Sequence, residues 1–309
     1  MTKRYLDCSA SEIAQLQGQS LLDSLRMSEG RIVMAETIGA LQPMLVSVSN
    51  AELAASQSAD LLLLNLFDAD QPEIKGMPET IAANDLLQQL AQFTGRSVGV
   101  NLEAVAPDYQ QSHQDFWQVS SGRLATGENA QKLFAMGARF ITITGNPGNG
   151  VSNEAISHSL RSIRKAVGNE MVLIAGKMHA AGILRSGSEK IITQADIKEF
   201  AESGVDIVLI PAPGTIAGIS QEYAATLIDY AHELGIMAMT AIGTSQEGAS
   251  VETIRQIALM SKMAGADIHH IGDTGCSIGI AAPENIREYS IAIRGVRHTY
   301  ARMARSVCR

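Results

Sequence analysis

Eight short aliphatic runs recur along the chain, and between them lie longer stretches in which apolar positions return every three or four residues. The runs are RIVMAET (31–37), ADLLLLN (59–65), SVGVNLE (97–103), RFITITG (139–145), MVLIAGK (171–177), VDIVLIP (205–211), IMAMTAI (236–242) and ADIHHIG (266–272). Each is nearly continuously apolar, the pattern of a strand covered on both faces, as in a parallel sheet. The stretches between them, such as NEAISHSLRSIRKAVG, QADIKEFAESG and VETIRQIALMSKMAG, carry the helical period. Several end in Gly just before the next strand, as a helix C-terminus prefers. A weaker period of two units overlies the first. Strands two, four, six and eight are preceded by SAD, GAR, GVD and GAD, whereas strands three, five and seven follow GR, GNE and G.

Eight strand-then-helix units in about 250 residues predict an α/β fold of the (β/α)8, or TIM barrel, class. The alternative is an open doubly wound sheet, which usually shows a glycine-rich dinucleotide turn after its first strand; MAETIGALQP contains no G-x-G-x-x-G. No linker rich in Pro, Ser or charge divides the chain, so residues 1–309 read as a single barrel domain with residues 1–30 as an N-terminal helical extension. Residues 8–28 are expected to form one extra helix closing the barrel bottom.

In such barrels the active site is assembled at the carboxyl ends of the strands. Those ends carry Glu36, Asn65, Asn101, Glu103, Thr142, Thr144, Lys177, Thr240 and the His269–His270 pair. Asn101 and Glu103 share one strand phase, as do Thr142 and Thr144. A purely structural barrel would place Val, Ile or Leu at most of these positions, so their convergence predicts a site. Lys177 has two readings. Paired with Glu36 or Glu103 it plugs the barrel top, because buried charges persist when paired. Desolvated, it is an amine able to form a Schiff base or to bind an anion. His179 is either a general acid or base or a solvated loop residue.

Glycine-rich loops follow strands four, seven and eight: TGNPGNGVSNEAI (144–156), AIGTSQEGAS (241–250) and GDTGCSIGIAAPENI (272–286). Such loops suit tight turns, and their successive N–H groups at helix starts also bind anions. Phosphate commonly sits on loops seven and eight of this architecture. The expected cradle is the main-chain nitrogens of residues 243–246 and 272–277, since Glu247 and Asp273 rule out reliance on net charge. Gly243, Thr244, Ser245, Gly272, Asp273 and Gly275 are therefore candidate binding residues, with Asn65, Asn101, Thr144, Asn146, Thr240 and His270 lining the mouth. In the loop after strand four, Gly148 and Gly150 are the alternative donors, Ser152 or Asn153 the helix cap. Pro283 marks the first turn of a further helix.

Composition narrows the classes. Hydrophobic residues make up 46% and aromatics 4%, the profile of an aliphatic-cored α/β protein. A net charge of −8 gives no footprint for nucleic acid, and no apolar run is long enough for a membrane span. Cys8, Cys276 and Cys308 are too few for a disulfide framework or zinc site, and a cytoplasmic protein is expected. The basic C-terminal stretch with Arg294, Arg297, His298, Arg302, Arg305 and Arg309 reads as a solvated helix face. In LFDADQPE (66–73), Asp68, Asp70 and Glu73 form either a magnesium corner or a solubilising loop.

At GRLATGENA, TGNPGNGVSNEAI, IAGKMHAAG, PAPGT, AIGTSQEG and HHIGDTG…PENIREYSIAIRGVRHT the chain resembles an uncharacterised bacterial family of (β/α)8 barrels. The resemblance runs from about residue 30 to the C-terminus. Members sometimes carry a haloacid-dehalogenase-like hydrolase label, which implies an open doubly wound sheet and an aspartyl nucleophile. DADQ departs from that nucleophile motif, with Gln71 and Pro72 where Thr or Val would follow.

The leading expectation is an enzyme acting on a small phosphorylated carbonyl compound, an aldolase-type lyase or an isomerase, without a cofactor. Lys177 would polarise or capture the carbonyl, and Glu36, Glu103 or His179 would move the proton. The alternatives are a magnesium-assisted hydrolase or lyase centred on Asp68 and Asp70, and a non-catalytic ligand-binding barrel. A homo-oligomer is expected from the habit of barrels this size.

Overall fold

The structure, a computed structural model, describes residues 2–106, 119–144, 151–178, 191–275 and 277–309. Every aliphatic run becomes a strand: β1 Ile32–Ile38, β2 Leu61–Asn65, β3 Ser97–Glu103, β4 Phe140–Thr144, β5 Val172–Gly176, β6 Ile207–Pro211, β7 Met237–Ile242 and β8 Ile268–Ile271. Among the described residues they pair in parallel in sequence order, and β8 returns to β1 to close a barrel. The expected (β/α)8 barrel is thus the fold; a closed barrel has no open edge and is not the doubly wound sheet that the dehalogenase-like label implies.

Two short helices, α1 (Ala10–Ala14) and α2 (Gly18–Arg26), precede the barrel. Around it stand α3 (Asn50–Ser56), α4 (Leu86–Thr94), α5 (Gly127–Ala135), α6 (Asn153–Val167), α7 (Gln194–Glu202), α8 (Gln221–Glu233), α9 (Val251–Met263) and α10 (Pro283–Ala304). Their starts are local. Ser49 with Glu52, and Thr193 with Asp196, close capping boxes, and the Ser152 hydroxyl accepts from the Ala155 N–H at 3.1 Å. Pro283 opens α10, which breaks at Gly295. None of the described helices is long and apolar enough to cross a membrane.

The expected single helix over 8–28 is two helices. Gly18 takes φ 48° where a Cβ would lie 2.2 Å from the Asn169 carbonyl oxygen, so the chain turns there to pass beneath β5. Leu21, Leu22 and Leu25 then seal the barrel floor against Ile32, Met34 and Leu61. The strands alternate between two cores. One phase (Met34, Leu63, Ile174, Leu209, Met239) fills the lumen, and the other (Val33, Leu62, Val98, Leu173, Val208) packs on the helices. At Gly99 a Cβ would lie 2.3 Å from the Phe140 ring, so a large residue on one strand fills the gap left on its neighbour.

The two-unit period has a physical origin. Asp60 before β2, Asp206 before β6 and Asp267 before β8 each turn a carboxylate oxygen onto the preceding strand. They accept from the N–H groups of Val33, Leu173 and Ala238 at 2.9, 2.8 and 2.8 Å. Each has a cationic or imidazole partner: Arg164 lies 2.7 Å from Asp206, and His232 lies 2.8 Å from Asp267. Asp60 takes both Arg294 and Arg302 from α10, all three fully buried. The basic C-terminal helix is therefore not solvated throughout. Arg302 also lies over the Tyr5 ring, 5.3 Å from its centroid.

Candidate functional site

At the carboxyl ends of the strands the lumen phase falls on Glu36, Asn65, Asn101, Glu103, Thr142, Thr144 and His270. On β5 to β7 it falls on Gly176, Pro211 and Ala241. The polar groups thus occupy one side of the mouth, from β8 through β1 to β4, and small apolar positions face them.

His270 is the centre of the polar side. Only 4% exposed, its Nε2 lies 3.0 Å from a carboxylate oxygen of Glu36. The approach is off the line of a hydrogen bond, and both ring nitrogens stay without a hydrogen-bond partner among the described residues. Asp273, just past β8, accepts from the Asn65 amide at 2.9 Å and the Thr274 hydroxyl at 3.1 Å. Asn65 in turn accepts from the Asn101 amide at 3.0 Å and the Leu66 N–H at 2.9 Å. This chain of amides ties β3, β2 and the loop after β8 together.

Burial shifts the acids of this cluster. Desolvation, then the charge of Glu36, pushes Asp273 up to about 6, against the pull of its hydrogen bonds and of His270. Glu247, 2% exposed, is pushed up to about 7, again by desolvation first. Its oxygen accepts from the Thr274 N–H at 3.2 Å and would lie 2.6 Å from a Cβ at position 272, so Gly272 is what admits it. Two carboxyl groups able to hold a proton near neutral pH, the Glu36 carboxyl beside them and an open imidazole together form an acid–base cluster. Beside it the buried Glu103 is paired with Arg123. Among the described residues no group of three His, Cys, Asp or Glu is arranged to hold a metal.

Other candidates fall elsewhere. Thr240 shares the phase of Ala238 and Ile242, and its hydroxyl lies toward Tyr289 of α10, outside the lumen. His269 faces the same way. It meets the Gly30 carbonyl at 3.0 Å, stands edge-on to Tyr289, and is held neutral by burial, at about 4. Met178 packs on the lumen core, and Lys177 lies just past the end of β5 at Gly176. Its charge acts on Glu154 in the first turn of α6, whose carboxyl its own backbone N–H and Ser152 already lower. His179, Asn146, Gly148 and Gly150 lie outside the described residues.

The expected oxyanion cradle is largely engaged within the protein. The N–H groups of Gly243, Gln246, Gly272, Thr274 and Gly275 donate to Thr215, Gly243, Ile242, Glu247 and Ile280. Thr244 and Ser245 have φ of 62° and 65°, and the Thr244 hydroxyl turns back to the Thr215 and Gly243 carbonyls. Asp68 and Asp70 also have another task. Asp68 accepts from the Asp70 and Gln71 N–H groups and from Ser120. Asp70 accepts from Ser121 and from Lys132, whose bond lowers its pKa. One oxygen of each, through Ser120 and Ser121, holds down the segment that carries Arg123. Sequence reasoning gave no role to Arg123 and saw Glu247 only as an obstacle. The signal for Glu247 was an acid inside a glycine-rich loop; for Arg123 the sequence offered none.

Among solved structures, the chain is similar to the carboxyl transferase domain of Rhizobium etli pyruvate carboxylase (TM-score 0.56, 12% identity). The match covers 95% of this chain and 51% of that one, so this chain spans about half its length. It is also similar to an archaeal fructose 1,6-bisphosphate aldolase (TM-score 0.55, 12% identity, covering 89% of this chain and 100% of that one). A third is 2,3-dimethylmalate lyase, a member of the PEP mutase/isocitrate lyase superfamily (TM-score 0.50, 13% identity, 85% and 81%). At such identities the likeness shows the barrel alone. Comparison with curated proteins finds no match. The family model described as Domain of unknown function (DUF7916) matches residues 6–309, and the chain, with its acid–base cluster at the mouth of a closed barrel, belongs to that family.

Proposed function

We propose that the protein is an acid–base enzyme, a lyase or isomerase of small hydroxylated carbonyl compounds, working at the Glu36–His270 pair. The observation that carries this reading is a buried imidazole with both nitrogens open, 3.0 Å from a lumen carboxylate. Glu36 takes the proton from the carbon next to the carbonyl, and the C–H electron pair moves into the enediolate. His270 donates a hydrogen bond to the carbonyl oxygen where the charge develops. Return of the proton to the former carbonyl carbon, while the hydroxyl proton passes between the two oxygens through His270, gives the isomer; loss of a β-hydroxyl proton to Glu36 instead breaks the C–C bond, whose electron pair becomes an enolate that is then protonated at carbon. Protonated Asp273 or Glu247 supplies the acid on the leaving side. The apolar wall of Gly176, Pro211 and Ala241 takes the carbon face of the substrate. Lys177 enters as a charge at the rim rather than as the nucleophile, and metal assistance through Asp68 and Asp70 is not part of the reading.

Deuterium uptake tests this across a whole class of compounds at once. A panel of hydroxyketones, aldoses and 2-keto acids, each with and without a phosphate, is incubated with the protein in D2O and followed by proton NMR. Exchange next to a carbonyl is expected for at least one member, falling about 100-fold or more in Glu36→Gln and His270→Asn. No exchange with any member, or full exchange in both variants, would remove the reading. The phosphorylated half of the panel shows whether a phosphate is required.

A further inference from the structure

The opposite, N-terminal face of the barrel holds a cavity of about 810 Å³ between α1, α4, α5 and the C-terminal residues. That volume is within the range of small-molecule sites. The chain carries 32 acidic residues, yet among the described residues no Asp or Glu lines this cavity; its wall includes Arg96, Arg139, Arg309, Gln88 and Gln92. Arg96 is committed, donating to the carbonyls of Ala59, Thr94 and Arg302 at 2.7, 3.1 and 3.0 Å. Arg139 is not. Half-buried, it makes no ion pair and no side-chain hydrogen bond among the described residues, and burial alone shifts its pKa, downward.

Arg139 also breaks the two-unit repeat. The other three even strands begin after an aspartate that caps the preceding strand and takes a cationic or imidazole partner. Before β4 the main-chain part of the device persists, with the Arg139 N–H donating to the Val98 carbonyl at 2.8 Å. The side chain has changed sign and lines a cavity instead of a strand end. Burying part of a guanidinium without a partner costs stability, which a structural role would avoid by keeping the aspartate. Gln88 and Gln92 stand exposed on α4, their amides without a hydrogen-bond partner among the described residues, and Phe134 adds an apolar ring to the wall.

We propose that this cavity is a binding site for a small sugar phosphate, separate from the barrel mouth. Arg139 pairs with the phosphate through its planar donor fork, and the Gln88 and Gln92 amides take the hydroxyls. Isothermal titration of the full chain at low salt, with ribose 5-phosphate, ribose and inorganic phosphate as probes, tests it. Ribose 5-phosphate is expected to bind at least tenfold more tightly than inorganic phosphate and, with the mouth disabled in Glu36→Gln/His270→Asn, ribose not at all. Arg139→Gln should lose tenfold or more in affinity with a melting temperature no lower than the parent's, while Glu36→Gln/His270→Asn, altered only at the mouth, binds like the parent. Should Arg139→Gln fail to fold, Gln88→Ala/Gln92→Ala replaces it, with a loss confined to ribose 5-phosphate. Unaltered binding in the cavity variant, loss in the mouth variant, equal affinity for the two phosphates, or no heat from either would each overturn the assignment.

Discussion

Replacing a buried acid of the candidate site should stabilise the protein, and only at high pH. Glu247 is 2% exposed, and its carboxyl, ordinarily at 4.5, is pushed up to about 7 by desolvation and the nearby Asp273. An unfolded chain has released this proton once the pH exceeds 4.5, whereas the folded protein still holds it. Between these values the folded state binds more protons, so stability falls as the pH rises and the loss is complete above about 7. The full loss is about 3 kcal/mol, at about 1.4 kcal/mol for each tenfold change in proton affinity. Glu247→Gln removes the charge but keeps an acceptor for the Thr274 N–H at 3.2 Å. Urea unfolding should therefore show the variant about 2–3 kcal/mol more stable at pH 8 and equal to the parent at pH 4.5, with unchanged m-values. Asp273, raised from 3.8 to about 6, adds to the parent's decline with the same sign over a lower window. A variant less stable than the parent at pH 8, or a gain that is the same at both pH values, would refute this account of the cluster.

Asp60→Asn leaves Arg294 and Arg302 without their shared carboxylate in the barrel floor, and a loss of about 3–5 kcal/mol is expected in denaturant unfolding; a loss under about 1 kcal/mol would mean that the triad is not a structural unit. Gly99→Ala puts a methyl group 2.3 Å from the Phe140 ring and should cost about 1–3 kcal/mol, partly restored by adding Phe140→Leu. Additive losses in that double variant would show that the two residues do not share one space. Borohydride added during turnover of any compound that exchanges deuterium should leave Lys177 unmodified in intact and peptide mass spectra; an adduct there would restore the covalent lysine.

The barrel was legible because parallel strands buried on both faces must be almost wholly apolar, a pattern each strand carries independently of its neighbours. The same property hid the phase. In a continuous apolar run nothing local distinguishes a lumen position from a helix-facing one, so Thr240 and His269 looked equivalent to Thr142 and His270 until the register separated them. Lys177 shows the same difficulty: β5 ends one residue before it, and one residue is the whole difference between two faces. The loops after β7 and β8 advertised free N–H groups through their glycines, but partners such as Thr215, Glu247 and Ile280 arrive from other segments. Asp60, Asp206 and Asp267 show the converse. Their repeat was visible in sequence, and only the cross-strand bonds explained it.

The link from Asn101 through Asn65 to Asp273 has a direction. The Leu66 N–H is a donor that cannot turn, so the Asn65 carbonyl oxygen must face it and the Asn65 amide hydrogens must face Asp273. One oxygen of Asp273 is therefore engaged by a donor that does not reverse, which favours placing a proton on the other. That second oxygen accepts the Thr274 hydroxyl at 3.1 Å, a bond that a bare carboxylate holds best. Protonation of Asp273 favours turning the Thr274 hydroxyl from donor to acceptor, while the amides stay fixed. The charge state of the site is thereby recorded in a single rotor, displayed at the mouth as a reversal of one hydrogen bond.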